Sequence, residues 1–295
     1  MRRHVRLEPS LTVPEPVGVP ARRERVEVGD GVRLDTLCVV PAEPCGTLLY
    51  YVGFGTALGE REALKCQILA DATGCAVATA ELPGFAQTGR AMPPDARDDL
   101  WRGDSARLAR LTTEAIRAAL GAAGVAANGP VRLLGYSTGC SLAAHAARDL
   151  TGVTSVTLVE PVAIAPRNLV TLQVANTVDA VGYPLAVSQN RRIDKPARLA
   201  GAHIRYGVPD LLALAAMLAT DELARTGIPA ATVSLVRGGR SRLCPADAFA
   251  RLDAALDSHG IDGVTATVPG LGHQLWHSIP AVAAIAYGIE NGTPH

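Results

Sequence analysis

The stretch VRLLGYSTGCSLAAHAARDL, residues 131–150, predicts a buried strand that turns directly into a helix. Its apolar start breaks at GYSTG (135–139), and an alanine-rich segment with helical spacing follows. At such a junction a G-x-S-x-G pattern places the serine at the apex of a tight turn, where the first amides of the helix point at its hydroxyl. Ser137 is therefore the candidate nucleophile. The alternative is a Ser/Gly turn that only closes a strand–helix unit.

The composition of the chain disfavours several classes of partner. Its 295 residues have a net charge of +0, without a basic stripe or basic amphipathic helix. We therefore expect the protein to bind neither nucleic acid nor a membrane surface. The six cysteines form no C-x-x-C pair and no Cys/His zinc spacing, and we expect no metal or other cofactor. Without an apolar run of about 18 residues or a signal-like start, a cytoplasmic location is expected.

Strand and helix patterns alternate along most of the chain. A hairpin is predicted at RVEVGDGVRLDTLCVV (25–40). Apolar strands with helical patterns between them follow at TLLYYVGFG (47–55), CAVATAEL (75–82), VRLLGY (131–136), VTSVTLVE (153–160), ATVSLVRG (231–238) and VTATVPG (264–270). One long helix is predicted from about residue 95 to 120, with Trp101 in the core. The alternation predicts an α/β fold, a mostly parallel sheet with helices on both faces.

The same patterns predict the domain organisation. Residues 1–22, rich in proline, are interpreted as an extended N-terminal arm, and residues 23–160 and 228–295 as the α/β core. Residues 161–227 contain helix-like stretches but no convincing strand, and are predicted to be an inserted helical cap. Its leucine, alanine and valine content favours a pocket for a moderately apolar small molecule.

A histidine follows the last predicted strand in GLGHQ (270–274). A serine hydroxyl needs a nearby base, and a histidine on a glycine-flanked loop at the carboxyl edge of the sheet can reach the serine turn. His273 is therefore the candidate base. His277, four residues on, is the competing candidate, and a purely structural role for His273 is the other alternative.

From about residue 25 to its end, the chain resembles proteins of the α/β-hydrolase fold. GYSTG is similar to the nucleophile elbow and GLGHQ to the histidine loop, while ELPGFAQTG (81–89) resembles the loop D-x-P-G-[FHY]-G-x-S. VGFGT (52–56) stands where the family places its oxyanion loop. The resemblance implies an oxyanion hole of two backbone amides, here those of Thr138 and Phe54. The family often has His-Gly where this chain has Val52-Gly53, so it stays open whether the Phe54 amide is the second donor. A purely structural role for Gly53 and Gly55, as turn residues, is the alternative.

The acid of the expected triad departs from the usual family pattern. In GGRSRLCP (238–245), Ser241 stands where many members have aspartate, and a neutral hydroxyl cannot stabilise an imidazolium electrostatically. Some members carry a glutamate at the end of an earlier strand, and Glu160 ends VTSVTLVE. The order Ser137, Glu160, His273 fits this fold. The alternatives are a structural carboxylate, another acid such as Asp247, or no acid.

The expected chemistry is acyl transfer. The first hypothesis is a serine-dependent hydrolase of a carboxylic ester or thioester, acting on a small-molecule acyl substrate. The alternative is an acyltransferase or a lyase that eliminates an acyl group in small-molecule biosynthesis. A third is a ligand receptor without catalysis. Cys140, directly after the elbow, is interpreted as a buried core residue rather than a second nucleophile.

Overall fold

The computed structural model describes residues 2–9, 19–85, 92–125, 129–192 and 206–290. In these ranges one nine-stranded sheet is formed. Its strands are β1 (Arg3–Arg6), β2 (Arg22–Val28), β3 (Val32–Val39), β4 (Thr47–Tyr51), β5 (Ala76–Ala80), β6 (Val131–Tyr136), β7 (Val153–Val159), β8 (Thr232–Gly238) and β9 (Val264–Val268). Their order across the sheet is β1-β9-β8-β7-β6-β4-β5-β3-β2.

The sheet is mostly parallel, as predicted. The pairs from β5 through β4, β6, β7, β8 and β9 to β1 are all parallel, whereas β3 pairs antiparallel with β5 and β2 antiparallel with β3. Every residue of β4 and β5 is buried. Strands buried on both faces need near-continuous apolar sequence, which is why these runs could be recognised.

Helices cover both faces of the sheet. They are α1 (Glu60–Thr73), α2 (Pro94–Trp101), α3 (Ala106–Ala122), α4 (Gly139–Asp149), α5 (Leu169–Ala180), α6 (Tyr183–Ser188), α7 (Val208–Leu218), α8 (Glu222–Thr226), α9 (Ala246–Ser258) and α10 (Ile279–Ile285). None of the helices in the described ranges is long and apolar enough to cross a membrane.

The single helix predicted over residues 95–120 is wrong, because the chain forms α2 and α3 with a break between them. Gly103 has φ = 75° in that break, a conformation that ends a regular helix and suits glycine. The Asp104 carboxylate then accepts the Ala106 N–H at 2.8 Å and so supports the start of α3. Trp101, predicted to pack in the core, ends α2 with 49% of its surface exposed.

The structure places the remaining predicted segments as follows. Within the predicted arm, Arg3–Arg6 forms the edge strand β1 beside β9, and residues 10–18 lie outside the described ranges. Helices α5 to α8 lie between β7 and β8, in the segment predicted as the cap. Residues 193–205 of that segment also lie outside the described ranges.

Candidate active site

The turn from β6 into α4 holds Ser137 in the left-handed region, with φ = 55°. L-residues seldom adopt this conformation, and the surrounding structure must compensate for the strain. The turn also needs glycine on both sides of the serine. A Cβ at Gly135 would collide with the Gly139 carbonyl oxygen, and a Cβ at Gly139 would collide with the Tyr51 carbonyl oxygen. The turn thus presents the Ser137 hydroxyl at the carboxyl end of the sheet.

His273 lies in a 3₁₀ turn, His273–His277, that follows β9. Its Nε2 is 2.9 Å from the Ser137 Oγ, and its Nδ1 is 2.9 Å from the Glu160 Oε2. Ser137 is 9% exposed, His273 4% and Glu160 0%. The three side chains come from the ends of β6, β7 and β9, and the structure brings them into one continuous hydrogen-bonded line.

Glu160 is fully buried, and its carboxylate has several hydrogen-bond donors. Its Oε1 accepts the Gly238 N–H, and its Oε2 accepts the Ser241 hydroxyl at 2.5 Å in addition to the His273 contact. A buried carboxylate is tolerated where such donors replace its hydration. Glu160 itself has φ = 56°, which makes it, like Ser137, a strained residue at a strand end.

Ser241 therefore donates a hydrogen bond to the candidate acid, which ends the neighbouring strand. Its Oγ donates to Glu160 and accepts the Cys244 N–H at 3.1 Å, which orients the hydroxyl. The sequence indicated that Ser241 replaces the usual aspartate, but it did not reveal this contact. The available signal was the combination of a hydroxyl donor at the usual acid position with a glutamate ending another strand.

Substitution of Ser241 tests this support. We expect Ser241→Ala to lower kcat by roughly 10- to 100-fold, because a hydrogen bond to a charged group contributes about 1.5–3 kcal/mol. Ser241→Asp should lower kcat further, because it places a second carboxylate against Glu160. The measurement is kcat on one ester substrate, with circular dichroism to check folding. Wild-type activity in Ser241→Asp would contradict the assignment of Glu160 as the acid.

The loop after β4 offers a backbone donor beside Ser137. The Thr56 N–H donates to the Gly53 carbonyl at 3.2 Å, and Gly55 has φ = 76°, which together describe a type II turn. Phe54 is the first central residue of this turn, so its N–H is not used within the turn. Thr138 caps the start of α4, where the first N–H groups have no helical acceptor. In the described ranges neither N–H has a hydrogen-bond acceptor, and both residues line the same cavity as Ser137.

Two aromatic rings pack against the side chain of Phe54. Its ring centroid lies 5.1 Å from that of Phe85 and 5.7 Å from that of Tyr206, both in edge-on contacts. Phe85 belongs to the loop 81–89, of which residues 86–89 lie outside the described ranges. Edge-on aromatic pairs add specific packing energy to their buried area. The cluster thus anchors the turn that carries the Phe54 N–H.

Tyr136 fixes the histidine loop from the strand side. Its hydroxyl donates to the His273 carbonyl oxygen at 3.0 Å, and its ring stacks on the His273 ring with centroids 5.6 Å apart. Its ring also stacks on that of Trp276, with centroids 6.0 Å apart, and meets the His277 ring edge-on at 6.1 Å. In the sequence Tyr136 was only a variable position of G-x-S-x-G, and nothing in the pattern indicated that it contacts His273.

A buried polar network lies behind this turn. The Trp276 Nε1 donates to the Tyr50 hydroxyl at 2.6 Å, which donates to Glu62 at 3.0 Å, and Lys65 Nζ pairs with the same carboxylate at 2.6 Å. Burial raises the pKa of Tyr50 well above its ordinary value and lowers the pKa of Lys65. Tyr50 therefore stays a hydrogen-bond donor at neutral pH, and the network fixes Trp276 three residues after His273.

The competing candidates for base and acid make other contacts. His277 is half-buried in the lining of the same cavity, and its Nδ1 faces the Arg61 Nη1 at 3.4 Å rather than Ser137. Burial, followed by the charges of Lys65 and Arg61, lowers the pKa of His277 well below its ordinary value. Asp247 is exposed and pairs with Arg251 at 2.9 Å. The hydrogen bond from Arg251 is the main cause of the lowered pKa of Asp247.

Cys140 is a buried core residue in the first turn of α4. Its thiol donates to the Gly135 carbonyl at 3.2 Å and to the Val159 carbonyl at 3.3 Å. Burial raises the pKa of this thiol well above its ordinary value, so it is protonated at neutral pH. A protonated thiol that is hydrogen-bonded to backbone is not a nucleophile.

A cavity of about 420 Å³ opens onto Ser137 and His273. Its apolar lining comes mainly from the segment between β7 and β8, with Val162, Leu172, Leu211, Leu214, Leu218 and Leu243. Its polar lining consists of Arg61, Gln173, Asn176, Tyr183, Gln274 and His277. Its size and mixed lining suit a small organic molecule.

The scan against protein-family models found no match, and the search of curated proteins found none. Solved structures do match. The thermostable carboxyl esterase from Bacillus coagulans has a TM-score of 0.57 at 14% identity, covering 85% of this chain and 90% of that one. The esterase LipW from Mycobacterium marinum has a TM-score of 0.58 at 17% identity, covering 93% and 81%. The thioesterase domain from the curacin biosynthetic pathway has a TM-score of 0.55 at 17% identity, covering 90% and 98%. The chain therefore has the α/β-hydrolase fold.

Proposed function

We propose that this protein is a serine-dependent hydrolase that cleaves a carboxylic ester or thioester of a moderately apolar small molecule through an acyl-enzyme. The observation that carries the proposal is the hydrogen-bonded line from Ser137 through His273 to Glu160 at the wall of a cavity. The esterases and the thioesterase domain of similar fold support the reaction class. Because a fold does not determine a reaction, the geometry of the site has the greater weight.

Acylation follows from the positions of these groups. The Ser137 Oγ attacks the carbonyl carbon while the His273 Nε2 takes the hydroxyl proton, and Glu160 stabilises the resulting imidazolium at Nδ1. The carbonyl oxygen becomes an oxyanion, which the N–H groups of Phe54 and Thr138 stabilise. The bond to the leaving oxygen or sulfur then breaks, and His273 returns the proton to it.

Deacylation reuses the same groups with water as the nucleophile. His273 removes a proton from water, the hydroxide oxygen attacks the acyl carbon, and the second oxyanion occupies the same amide site. Collapse releases the carboxylic acid and returns the proton to the Ser137 Oγ. If an alcohol, thiol or amine replaces water in this step, the product is a transferred acyl group.

The cavity supports a moderately apolar acyl substrate. Its apolar lining and Ser137 belong to the same cavity, and burying methylene groups against such a lining stabilises binding by about 0.8 kcal/mol each. The polar lining can accommodate a substrate part that keeps hydrogen-bonding groups. This combination favours small bifunctional esters over peptides or polysaccharides.

Added bulk in the apolar lining tests this assignment. Ala215 lines the cavity from α7. Ala215→Trp should therefore raise KM for medium-chain esters by roughly tenfold, which corresponds to the loss of about two methylene contacts. KM for acetate esters should change little. Leu212→Trp is the matched control, because Leu212 lies on the same helix, is 46% exposed and is not in the cavity wall. An equal rise in KM for acetate and medium-chain esters in Ala215→Trp would contradict the acyl-binding role of this lining.

The reaction class is tested by release of p-nitrophenol from short- and medium-chain p-nitrophenyl esters, followed in the wild type and in Ser137→Ala. Sustained turnover that Ser137→Ala lacks supports the hydrolase. A single burst that stalls as a stable acyl-enzyme contradicts hydrolysis and favours an acyltransferase or lyase. Binding of the esters without any reaction contradicts both and indicates a receptor.

A further inference from the structure

A second group of chemically reactive side chains lies away from the proposed catalytic line. His145 is on α4, Glu222 begins α8, and Asp104 is in the connection between α2 and α3. One ligand atom from each side chain lies within 4.8 Å of the other two. None of the three residues contributes to the cavity beside Ser137.

The distances in this group match those of a metal site. The His145 Nε2 is 3.0 Å from the Glu222 Oε1 and 3.8 Å from the Asp104 Oδ1. Ligand atoms around a tetrahedral zinc ion, at about 2.0–2.1 Å from it, are about 3.3–3.4 Å apart. Shifts of less than an ångström would therefore bring the three atoms to coordination distance.

Unpartnered buried polar atoms point to a missing ligand. The side chain of Glu222 is 4% exposed, and within the described ranges its Oε2 is buried without a hydrogen-bond partner. Ser105, whose backbone N–H donates to the Glu222 Oε1 at 2.5 Å, has a buried hydroxyl without a partner as well. Buried carboxylate oxygens without donors are costly, and a bound cation removes that cost.

The candidate ligands are also oriented by their surroundings. The Asp104 Oδ1 accepts the Ala106 N–H, and the Glu222 Oε1 accepts the Ser105 N–H. Outer hydrogen bonds of this kind orient the ligands of metal sites. The side chain of Asp104 is 56% exposed, which leaves an entry path for an ion and room for water as a fourth ligand.

We propose that Asp104, His145 and Glu222 bind one divalent transition-metal ion, with Zn²⁺ as the best match. An imidazole with two carboxylates favours zinc over magnesium or calcium, which prefer ligand sets of oxygen alone. The ion joins α8, at the end of the segment between β7 and β8, to α4, which begins two residues after Ser137. Its role is structural, because it lies apart from the cavity.

Zinc binding to the chelator-treated full chain tests the proposal by calorimetry and thermal unfolding, with a reducing agent present. We expect one Zn²⁺ per chain and a Tm that rises with zinc concentration. Asp104→Asn should raise Kd for zinc by about tenfold or more, since the loss of even an outer partner has an effect of that size. Asn can still accept the Ala106 N–H, so this exposed variant should fold. Asp221→Asn, beside Glu222 on the surface, is the matched control and should bind zinc like the wild type.

Two results would overturn the proposal. Absence of stoichiometric zinc binding to the wild type would reduce the group to a His145–Glu222 ion pair. Equal zinc affinity in Asp104→Asn and the wild type, with binding lost in Cys45→Ser, would place the ion at the Cys45 and Cys75 thiols, whose sulfurs lie 3.7 Å apart.

Discussion

Ser137→Ala is expected to lower kcat by about 10⁶-fold, because removing the nucleophile of a serine triad has an effect of that size. The remaining rate comes from the amide donors and substrate positioning, which alanine leaves in place. Among the residues that the structure describes, the Ser137 hydroxyl has one hydrogen-bond contact with a side chain, that with His273, so its loss should leave the fold unchanged. The measurement is single-turnover and steady-state release of p-nitrophenol from the best ester.

Ser141→Ala is the matched control for this substitution. Ser141 is a buried serine on α4, one turn beyond the elbow, and does not line the cavity. We expect its kcat to stay close to that of the wild type. If Ser137→Ala retains most of the wild-type turnover while Ser141→Ala loses it, the proposed nucleophile is wrong.

Glu160→Gln should lower kcat by about 10⁴-fold, the loss seen when the acid of a serine triad becomes an amide. The wild-type carboxylate accepts from His273, Ser241 and the Gly238 N–H. An amide has one acceptor oxygen and an NH₂ group, so it cannot accept from all three. If the NH₂ faces His273, it requires the tautomer with the proton on Nε2, which cannot take the Ser137 proton. The pre-steady-state rate of acylation measures this loss.

A buried carboxylate whose side-chain hydrogen bonds in the described ranges do not involve His273 controls for general destabilisation. Asp179 is buried and accepts the backbone N–H groups of Arg242 and Leu243. Asp179→Asn should lower Tm without the large loss of kcat, because it leaves the contact between Glu160 and His273 unchanged. A Glu160→Gln variant with near wild-type kcat would remove Glu160 from the mechanism.

The sequence predicted those features that depend on local pattern. The apolar runs of β4 and β5 are buried throughout, so hydrophobicity alone identified them. The glycines of the elbow are required by close backbone approaches, so GYSTG could be read as a strand–helix turn. The positions of Glu160 and His273 at strand ends followed from the strand predictions, because parallel strands bring their carboxyl ends to one edge.

Features that depend on tertiary contacts could not be read in the same way. The break at Gly103 was missed because the helical pattern on both sides is continuous, and one glycine does not distinguish a kink from an end. The donation from Ser241 to Glu160 spans 81 positions in sequence. The stacking of Tyr136 on His273 likewise joins strand β6 to a turn after β9. Such contacts exist only once the sheet order is set.

The mixed lining of the cavity also depends on packing. The sequence indicated an apolar cap from its leucines, but Tyr183 and His277 contact Arg61 in the cavity lining through contacts between distant segments. Exposure of several apolar residues of α5, such as Val170 and Val174, shows that the apolar pattern of this helix is not all used in the core. Composition alone could not divide those residues between core, cavity and surface.

The most direct test of the proposed mechanism is intact-protein mass spectrometry after rapid quenching of the reaction with a p-nitrophenyl ester, followed by peptide mapping. We predict one acyl group per chain, carried by the peptide that contains Ser137, formed at the rate of the p-nitrophenol burst and absent from Ser137→Ala. An acyl group on another residue, such as the exposed Cys45 thiol, would contradict the mechanism. So would a burst of p-nitrophenol that no covalent adduct accompanies.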